Sequence, residues 1–542
     1  MGVTRASKTA GCDYLPSKLP AKPRRVKTCA TGLGGAATLP DCEGARNLSP
    51  RRMPDGATRR PRGLLMTALG EGEPHGMAVF AGNLYFARGT VLYRMDEDAV
   101  ISLGTVSDTF KRFFVFGDRL FIYPDKLYIR AGEASMRPME LDSGVVKGSV
   151  FRENTVTLPE GMRWSDLGFD AGECLRVLNA DDDMPAPEGY YRIRKISGRV
   201  ATLAEYFPTT YESDARFCRV VPDLERVCVS GDRVYGIAGK DVYISAAGSP
   251  LDFYSRGDAD GLSGATLRLS SDGNITACAV WQGYVVFFKE DSVCKLLGTR
   301  SDSFTLQERP AVGVSARLAD TLREVGGALY YLNERGVYRY GGQEPERISP
   351  IGNLSVWNGV GGTDGVAYYL AVYGNGSWRQ YCYLPREELW FPEDSIHPCS
   401  MVCRDGFLCE QDGAGRLWLT SSDGRDPFCF SDEREVTGDV RSSMILLPDY
   451  EFQPDGCRLT GVAVRATGPE EGTLEVLADY ADGTRGLDAD GMGEESLGIV
   501  EGGMTDRLLR FPVLPRFSDG VRLRLEMTGE WVIHGVIREY EV

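Results

Sequence analysis

Histidine and cysteine supply much acid-base and metal chemistry, and in this chain histidine is scarce and cysteine thinly spread. Only three histidines occur, His75, His397 and His534, which leaves few groups that titrate near neutral pH and few of the commonest metal ligands. The best metal-ligand set is His397, Cys399, Cys403 and Cys409. It lacks a Cys-x-x-Cys knuckle, and Cys403 to Cys409 straddles a predicted turn and strand, so buried free thiols are the favoured reading. Asp181, Asp182 and Asp183 put three carboxylates in a row. Without the alternating oxygen ligands and following glycine of an EF-hand, they read as a solvated turn rather than a calcium loop. There is no P-loop, no Gly-x-Ser-x-Gly elbow and no His-Glu-x-x-His.

Shorter signals are equally unproductive. Ser422-Asp423-Gly424 matches only a fragment of the sialidase Asp-box, and Arg256-Gly257-Asp258 is an integrin-type tripeptide of a kind that arises by chance. Trp281, Trp357, Trp378 and Trp390 could line a glycan pocket, but packing between sheets explains them with fewer assumptions. Sequons at Asn47, Asn274, Asn353 and Asn375 carry no weight without a secretion signal. The expectation is a protein that is not an enzyme, with no catalytic residue, no cofactor site and no metal site.

The chain has 542 residues and a formal net charge of -16, which excludes the broadly basic surface of a sequence-reading nucleic-acid binder. Its 14 cysteines run thinly from Cys12 to Cys457, unlike the dense frameworks of small secreted domains, so reduced thiols are expected. No stretch reaches the length of a membrane helix, and no apolar signal-peptide run follows Arg5 and Lys8. A protein made in the cytoplasm, without a membrane anchor, is expected. Charge divides unevenly. Residues 1 to 63 hold 13 Lys and Arg against four acids, a balance of +9, while the remainder holds 48 against 73 and so carries -25. This first segment, rich in Pro and Gly, reads as a basic extended arm, either a solvated tail or an arm docked on a neighbouring subunit.

From about residue 64 a unit recurs: an apolar strand, a tight turn with Gly, then a second apolar strand rich in Tyr or Phe. Val79-Phe80-Ala81-Gly82-Asn83-Leu84-Tyr85-Phe86 is the first example, and Val115 to Ile122 the second. Later copies are marked by Gly231, Gly283, Gly327, Gly365 and Gly406, separated by 52, 44, 38 and 41 residues, close to the ~40 to 50 residues of a four-stranded propeller blade. The predicted fold is all-β, a six- or seven-bladed β-propeller with seven preferred; an irregular sandwich with chance spacing is the alternative. Blades are expected in 64–142 and 223–431. Between them, 143–222 breaks the rhythm and reads as an inserted small β-barrel, spliced in through neighbouring ends. Beyond 432 the strands lengthen and alternate, predicting a C-terminal antiparallel β-sandwich over 432–542.

Three stretches resemble one family, the β-propeller head-to-tail proteins of tailed bacteriophages, known as packaged-DNA stabilisation, tail hub or nozzle proteins. They are Asn47-Leu48-Ser49-Pro50 with Asp55 to Leu64; Arg233-Val234-Tyr235-Gly236 with Val242 to Tyr254; and Leu329 to Gly342 running on to Arg347-Ile348-Ser349. The resemblance extends in order over residues 45 to 540, and the 143–222 insert and the basic extension depart from it. It implies a structural virion protein at the head-to-tail junction, acting in the phage tail or in a prophage. Copies would form a ring, hexameric to match tail symmetry, bound to the portal, an adaptor or other tail proteins. Double-stranded DNA would pass through without sequence-specific binding, and an acidic lumen would let it slide rather than hold it by counterion release. The alternative is a carbohydrate-binding or receptor-binding propeller of the tail, or a glycan-acting propeller enzyme.

The blade reading places Val234, Tyr235, Leu329, Tyr331, Tyr368 and Leu417 in core strands. Leu329→Asp would then bury an unpaired charge and destabilise by roughly 4 kcal/mol or more. Loss of soluble protein is the expected outcome; a variant that melts like the parent would refute the assignment.

Overall fold

The computed structural model describes residues 25–26, 45–49, 56–96, 99–180, 185–255, 261–349, 356–393, 397–422, 443–446, 450–451, 457–481 and 494–541. Among these, regular structure is β-strand apart from one 3-10 turn, Ala316–Thr321. The protein is all-β and built from many small antiparallel sheets. Seven of them have four strands in blade-like order. Sheets 1 to 5 span 74–105, 112–138, 226–268, 277–310 and 323–349; sheet 6 spans 356–393; sheet 7 joins 398–420 to Gly63–Met66.

Local turn chemistry explains the repeat. Ala81-Gly82, Gln282-Gly283 and Asp405-Gly406 each place two successive residues at positive φ, the type I′ turn that matches strand twist. Gly117-Asp118 and Gly231-Asp232 need a positive φ only at the glycine, as in a type II′ turn. After each turn comes the second strand, buried along most of its length. Ala328–Asn333 is buried at every residue, Phe407–Asp412 likewise, and Arg119–Tyr123 at all but its first. A strand buried on both faces needs a packing layer on each side of its sheet. Val234, Tyr235, Leu329, Tyr331, Tyr368 and Leu417 all fall in strands as expected, and Leu329 is fully buried.

The chain divides into two compact units. One comprises 69–348 with 413–415 and holds sheets 1 to 5. Its apolar interior is a series of slabs, each shared by consecutive sheets. Phe80 and Leu92 pack with Leu120 and Ile122; Phe121 and Tyr128 with Val234 and Phe253; Ile244 with Val285 and Phe287; Phe288 with Leu329 and Tyr331. The same unit carries the insert, a sheet over 141–219 with its own core around Phe151, Trp164, Leu175 and Phe217. Its two long strands, Leu141–Thr157 and Val200–Arg219, pair with each other, and the second also pairs with both Cys174–Asn179 and Gly189–Ser197. The ends meet, because Leu141 pairs directly with Arg219.

The other unit comprises 1–68, 349–412 and 416–542. Sheets 6 and 7 share one core with two larger sheets of seven and six strands. Those larger sheets fall where the sandwich is expected, but they also recruit the N-terminal segment. Leu48–Ser49 pairs with Gly56–Thr58, which pairs with Val532–Glu541; Ala45–Arg46 pairs with Ser443–Leu446. Arg25–Val26 pairs with Ile537 and Val536 of the same chain. Residues 45–49 and 56–63, assigned to an extended arm from sequence, are therefore threaded through the chain's own sheets, and the 63/64 boundary falls inside strand Gly63–Met66. Short polar segments of this kind show no periodicity of their own, since their partners lie hundreds of residues away. Apart from Arg25–Val26, the rest of the arm lies outside the described residues.

Because Leu141 and Arg219 sit about 5 Å apart as a strand pair, joining them through a short Gly-Ser linker in place of 142–218 should leave a cooperatively folding protein. The loss of the Arg192 bond to the Ala247 carbonyl, of the Tyr190 and Tyr254 ring contact and of Glu173 as the buried partner of Arg219 should lower Tm by roughly 10 °C, at about 2–4 °C per kcal/mol. Calorimetry checks this; a broad, non-cooperative transition would mean that the insert completes the core of its host.

Candidate functional site

In the 69–348 unit the first strands of successive sheets lie side by side. Three of them begin with arginine: Arg323 in Arg323–Val325, and the pair Arg112 in Arg112–Phe116 and Arg226 in Arg226–Ser230. Both guanidinium groups converge on Asp320, in the 3-10 turn that precedes the first strand of sheet 5. Arg112 Nη2 donates to Oδ2 at 3.0 Å and Arg226 Nη2 to the same oxygen at 3.4 Å, while each Nη1 donates to Oδ1. The turn is pinned by Thr321, whose hydroxyl donates to the Leu318 carbonyl at 2.6 Å and accepts from the Leu332 amide at 2.9 Å. Burial alone would raise the Asp320 carboxyl, but the Arg226 and Arg112 charges outweigh it and hold the group well below the usual carboxylate range. Burial in turn lowers Arg112, against the pull of Asp320.

A carboxylate held so low is a poor general base, because a base working near neutral pH needs a pKa near 7. With both oxygens occupied by guanidinium groups it is also a poor metal ligand. The triad instead ties sheets 2, 3 and 5 together. Lys111 beside it is likewise neutralised, its ammonium donating to Asp125 at 2.6 Å and to the Ser107 carbonyl at 2.6 Å. These cations are committed to the fold and are not presented as a row that could grip phosphates.

The second polar constellation lies in the other unit. Arg62, 0% exposed, donates to Glu410 at 2.7 Å and to Glu393 at 2.9 Å; Gln380 donates to Glu410 at 2.7 Å. Arg59 donates to the Asn47 side chain at 3.1 Å, and Asn47 holds a positive φ of 56°. Next to it is a cavity of about 300 Å³ lined by Arg59, Glu393, Tyr369, Ser422 and Trp531. Ser422 donates from its amide at 2.7 Å and its hydroxyl at 2.6 Å to Asp364, which also accepts from the Val366 and Ala367 amides. Burial pushes both the Tyr369 hydroxyl and the Cys382 thiol well above their ordinary values, so neither supplies a nucleophile. The carboxylates of Glu393, Glu410 and Asp364 are each engaged by donors, while the buried Gln380 Oε1 accepts no hydrogen bond among the described residues.

The candidates raised by sequence do not come together. His397 stacks on Trp378 at 4.6 Å, His75 bonds Asp108 at 2.7 Å, and His534 bonds Thr467 at 3.0 Å. Cys409 pairs across from Val402, one residue and therefore one sheet face away from Cys403. Burial pushes the Cys409 thiol up to about 12. Among the described residues no group of three or more His, Cys, Asp or Glu is placed to hold a metal ion. Trp390 is buried, Trp281 donates to the Gly327 carbonyl at 2.9 Å, and Trp357 alone of the four candidate tryptophans is largely open, at 64%. Asp181 to Asp183, Arg256 to Asp258, Asp423, Gly424 and Asn353 lie outside the described residues. The Asp320 triad and the Arg62 cluster had no local signal: Asp320 is 208 residues from Arg112, and Arg62 is 348 from Glu410.

No protein-family model and no curated protein matches the chain. Among solved structures it is similar to Kluyveromyces lactis Hsv2p, at 8% identity over 69% of this chain and 92% of that one, TM-score 0.28. Apo AztD from Citrobacter koseri matches at 12% identity over 58% and 84%, TM-score 0.28. PorZ, a surface component of the type-IX secretion system of Porphyromonas gingivalis, matches at 11% identity over 81% and 75%, TM-score 0.27. Identities and TM-scores this low carry no argument about what this chain binds or does.

The triad generates a pH signature. A carboxyl whose folded pKa is depressed adds stability above its unfolded pKa of about 4, and that stability is lost as pH falls toward the folded value. Asp320→Asn should lower stability at pH 7 by about 1–3 kcal/mol and flatten the fall in stability below about pH 4. Urea melts across that range check it; an unchanged acid slope would show that the triad does not couple to folding.

Proposed function

We propose that this chain is a structural subunit of a tailed-phage virion, a hub or nozzle component that forms a ring at the head-to-tail junction and retains and conducts DNA. On this reading the seven four-stranded sheets are the blades of one propeller, with Gly63–Met66 supplying the last strand of the seventh blade. The insert closes as a small barrel, and the two larger sheets form a sandwich for docking or assembly. The role is architectural rather than catalytic.

One observation carries the reading: many of the described residues on which the family resemblance rests are buried and bonded within the chain's own fold. Asn47, Arg59 and Arg62 tie the N-terminal segment to sheets 6 and 7. Arg233 donates to the carbonyls of Ser245, Gly261 and Ser263, and Leu251, Asp252 and Phe253 are buried in the turn that follows. Leu329 to Tyr340 forms the interior hairpin of sheet 5. Residues spent on holding sheets together are what a force-bearing ring subunit needs. The acidic body adds support, since a chain of net charge -16 disfavours the phosphate neutralisation that would hold DNA in place. A ring of identical subunits uses heterologous contacts, which a basic arm on an acidic neighbour can supply.

Native mass spectrometry and electron microscopy of the chain co-expressed with a portal and adaptor test this. Closed rings at the portal exit are expected, with six copies. Removing residues 1–24, which leaves the Arg25–Val26 pairing intact, should weaken ring formation at physiological salt while the monomer's melting stays nearly unchanged. Persistent monomers in every combination, or absence of the chain from purified virions, would overturn the reading.

A further inference from the structure

The groove between sheets 4 and 5 holds a cavity of about 390 Å³, within the size range of small-molecule sites. Strands Ser292–Leu297 and Thr305–Pro310 pair with Lys295 opposite Gln307 and Val293 opposite Arg309. The alternation of a strand therefore sets Lys295, Gln307 and Arg309 on one sheet face, and all three line the cavity. Tyr340 of sheet 5 lines it from the other side, with Gln343 and Glu344 beyond.

The cations here differ from those of the Asp320 triad. Among the described residues neither Lys295 nor Arg309 has a carboxylate within ion-pair distance. Lys295 instead rests its ammonium 3.5 Å from the centroid of the Tyr284 ring and 5.1 Å from that of Trp281. An aromatic face steadies a cation without neutralising it. Glu344 at the lining sets one negative charge against two positive ones, so the cavity is net positive in a chain of net charge -16. Burial raises the Tyr340 hydroxyl, with the Arg309 charge working the other way, and the group remains a donor at neutral pH. The approach of Gln343 and Glu344 depends on Gly342, at φ +89°, where a Cβ would meet the Trp281 ring at 2.0 Å. The turn can lie on that indole only because it is glycine.

We infer that this groove is a binding site for a small oxyanion, or for a small molecule bearing one, held by Lys295 and Arg309 with Tyr340 and the two glutamine amides as neutral donors. The chemistry shared by carboxylate, sulfate and phosphate fits it, because a guanidinium fork beside an ammonium matches two or three oxygens on one centre. The site is independent of the virion reading and stands or falls without it.

Isothermal titration of the full chain at low salt with sodium phosphate, sodium sulfate and sodium acetate, and with glucose as a neutral probe, tests the assignment. Saturable binding of at least one anion is expected, and the strongest of the three identifies the ligand group as phosphorylated, sulfated or carboxylated. K295Q/R309Q should weaken that binding at least ten-fold, and Y340F should weaken it less; unchanged circular dichroism and melting would establish that the variants are folded. If the double variant does not fold, K295Q alone should still show a loss. No saturable anion binding by the parent, equal binding by the folded double variant, or glucose binding as tightly as the anions would each overturn the proposal.

Discussion

The structure depends on one packing constraint: the second strand of the blade-like sheets is buried on both faces along most of its length. Ala328–Asn333, Phe407–Asp412 and the central part of Tyr368–Gly374 are buried without alternation. A lone four-stranded sheet cannot cover two such faces, so each is stable only with a packing layer on either side. At about 25 cal/mol per Å² of apolar area removed from water, stacking is the main source of stability. It also explains why the interior of the 69–348 unit is a series of slabs, each belonging to two consecutive sheets.

Stacking by itself does not say which sheet lies beside which, since apolar faces rich in Tyr, Phe, Leu and Val are interchangeable to a first approximation. Buried polar residues supply that discrimination. Arg62 is fully enclosed between Glu410 of sheet 7 and Glu393 of sheet 6. Arg219 pairs with Glu173 and donates to the Met139 carbonyl at 2.5 Å, fastening the insert to the end of sheet 2. A buried pair adds little net stability, but separating its partners strands a charge in the interior at a cost of about 3–5 kcal/mol. Wrong neighbours are therefore penalised more than right neighbours are rewarded.

The same pairing governs the electrostatic character of the molecule. The cations at the first strands, Lys111, Arg112 and Arg226, are matched by Asp125 and Asp320, and the N-terminal arginines Arg59, Arg60 and Arg62 by Glu393, Glu530 and Glu410. Three of the 13 cations of residues 1 to 63 are thereby matched inside the chain. The groove at Lys295 and Arg309 is a place where cations are left to aromatic rings and to solvent.

Short-range physics made much of this fold legible from sequence. Two-residue turns that demand positive φ, as at Gly82, Gly283 and Gly406, and strands of fixed length between them announce antiparallel hairpins at blade-like spacing, because the constraint acts within a few bonds. The interruption of that spacing after Tyr128 was legible for the same reason, and a separate four-stranded sheet over 141–219 occupies it. The absence of motifs for nucleotide, zinc or acyl chemistry could likewise be read directly. The partners of residues 45–63, the meeting of Asp320 with Arg112 and Arg226, and the shape of the groove at Tyr340 could not. Each joins segments tens to hundreds of residues apart through one or two polar contacts, and such contacts leave no periodicity in either segment. They exist only once the stacked sheets have brought the two ends together, so the tertiary structure alone decides them.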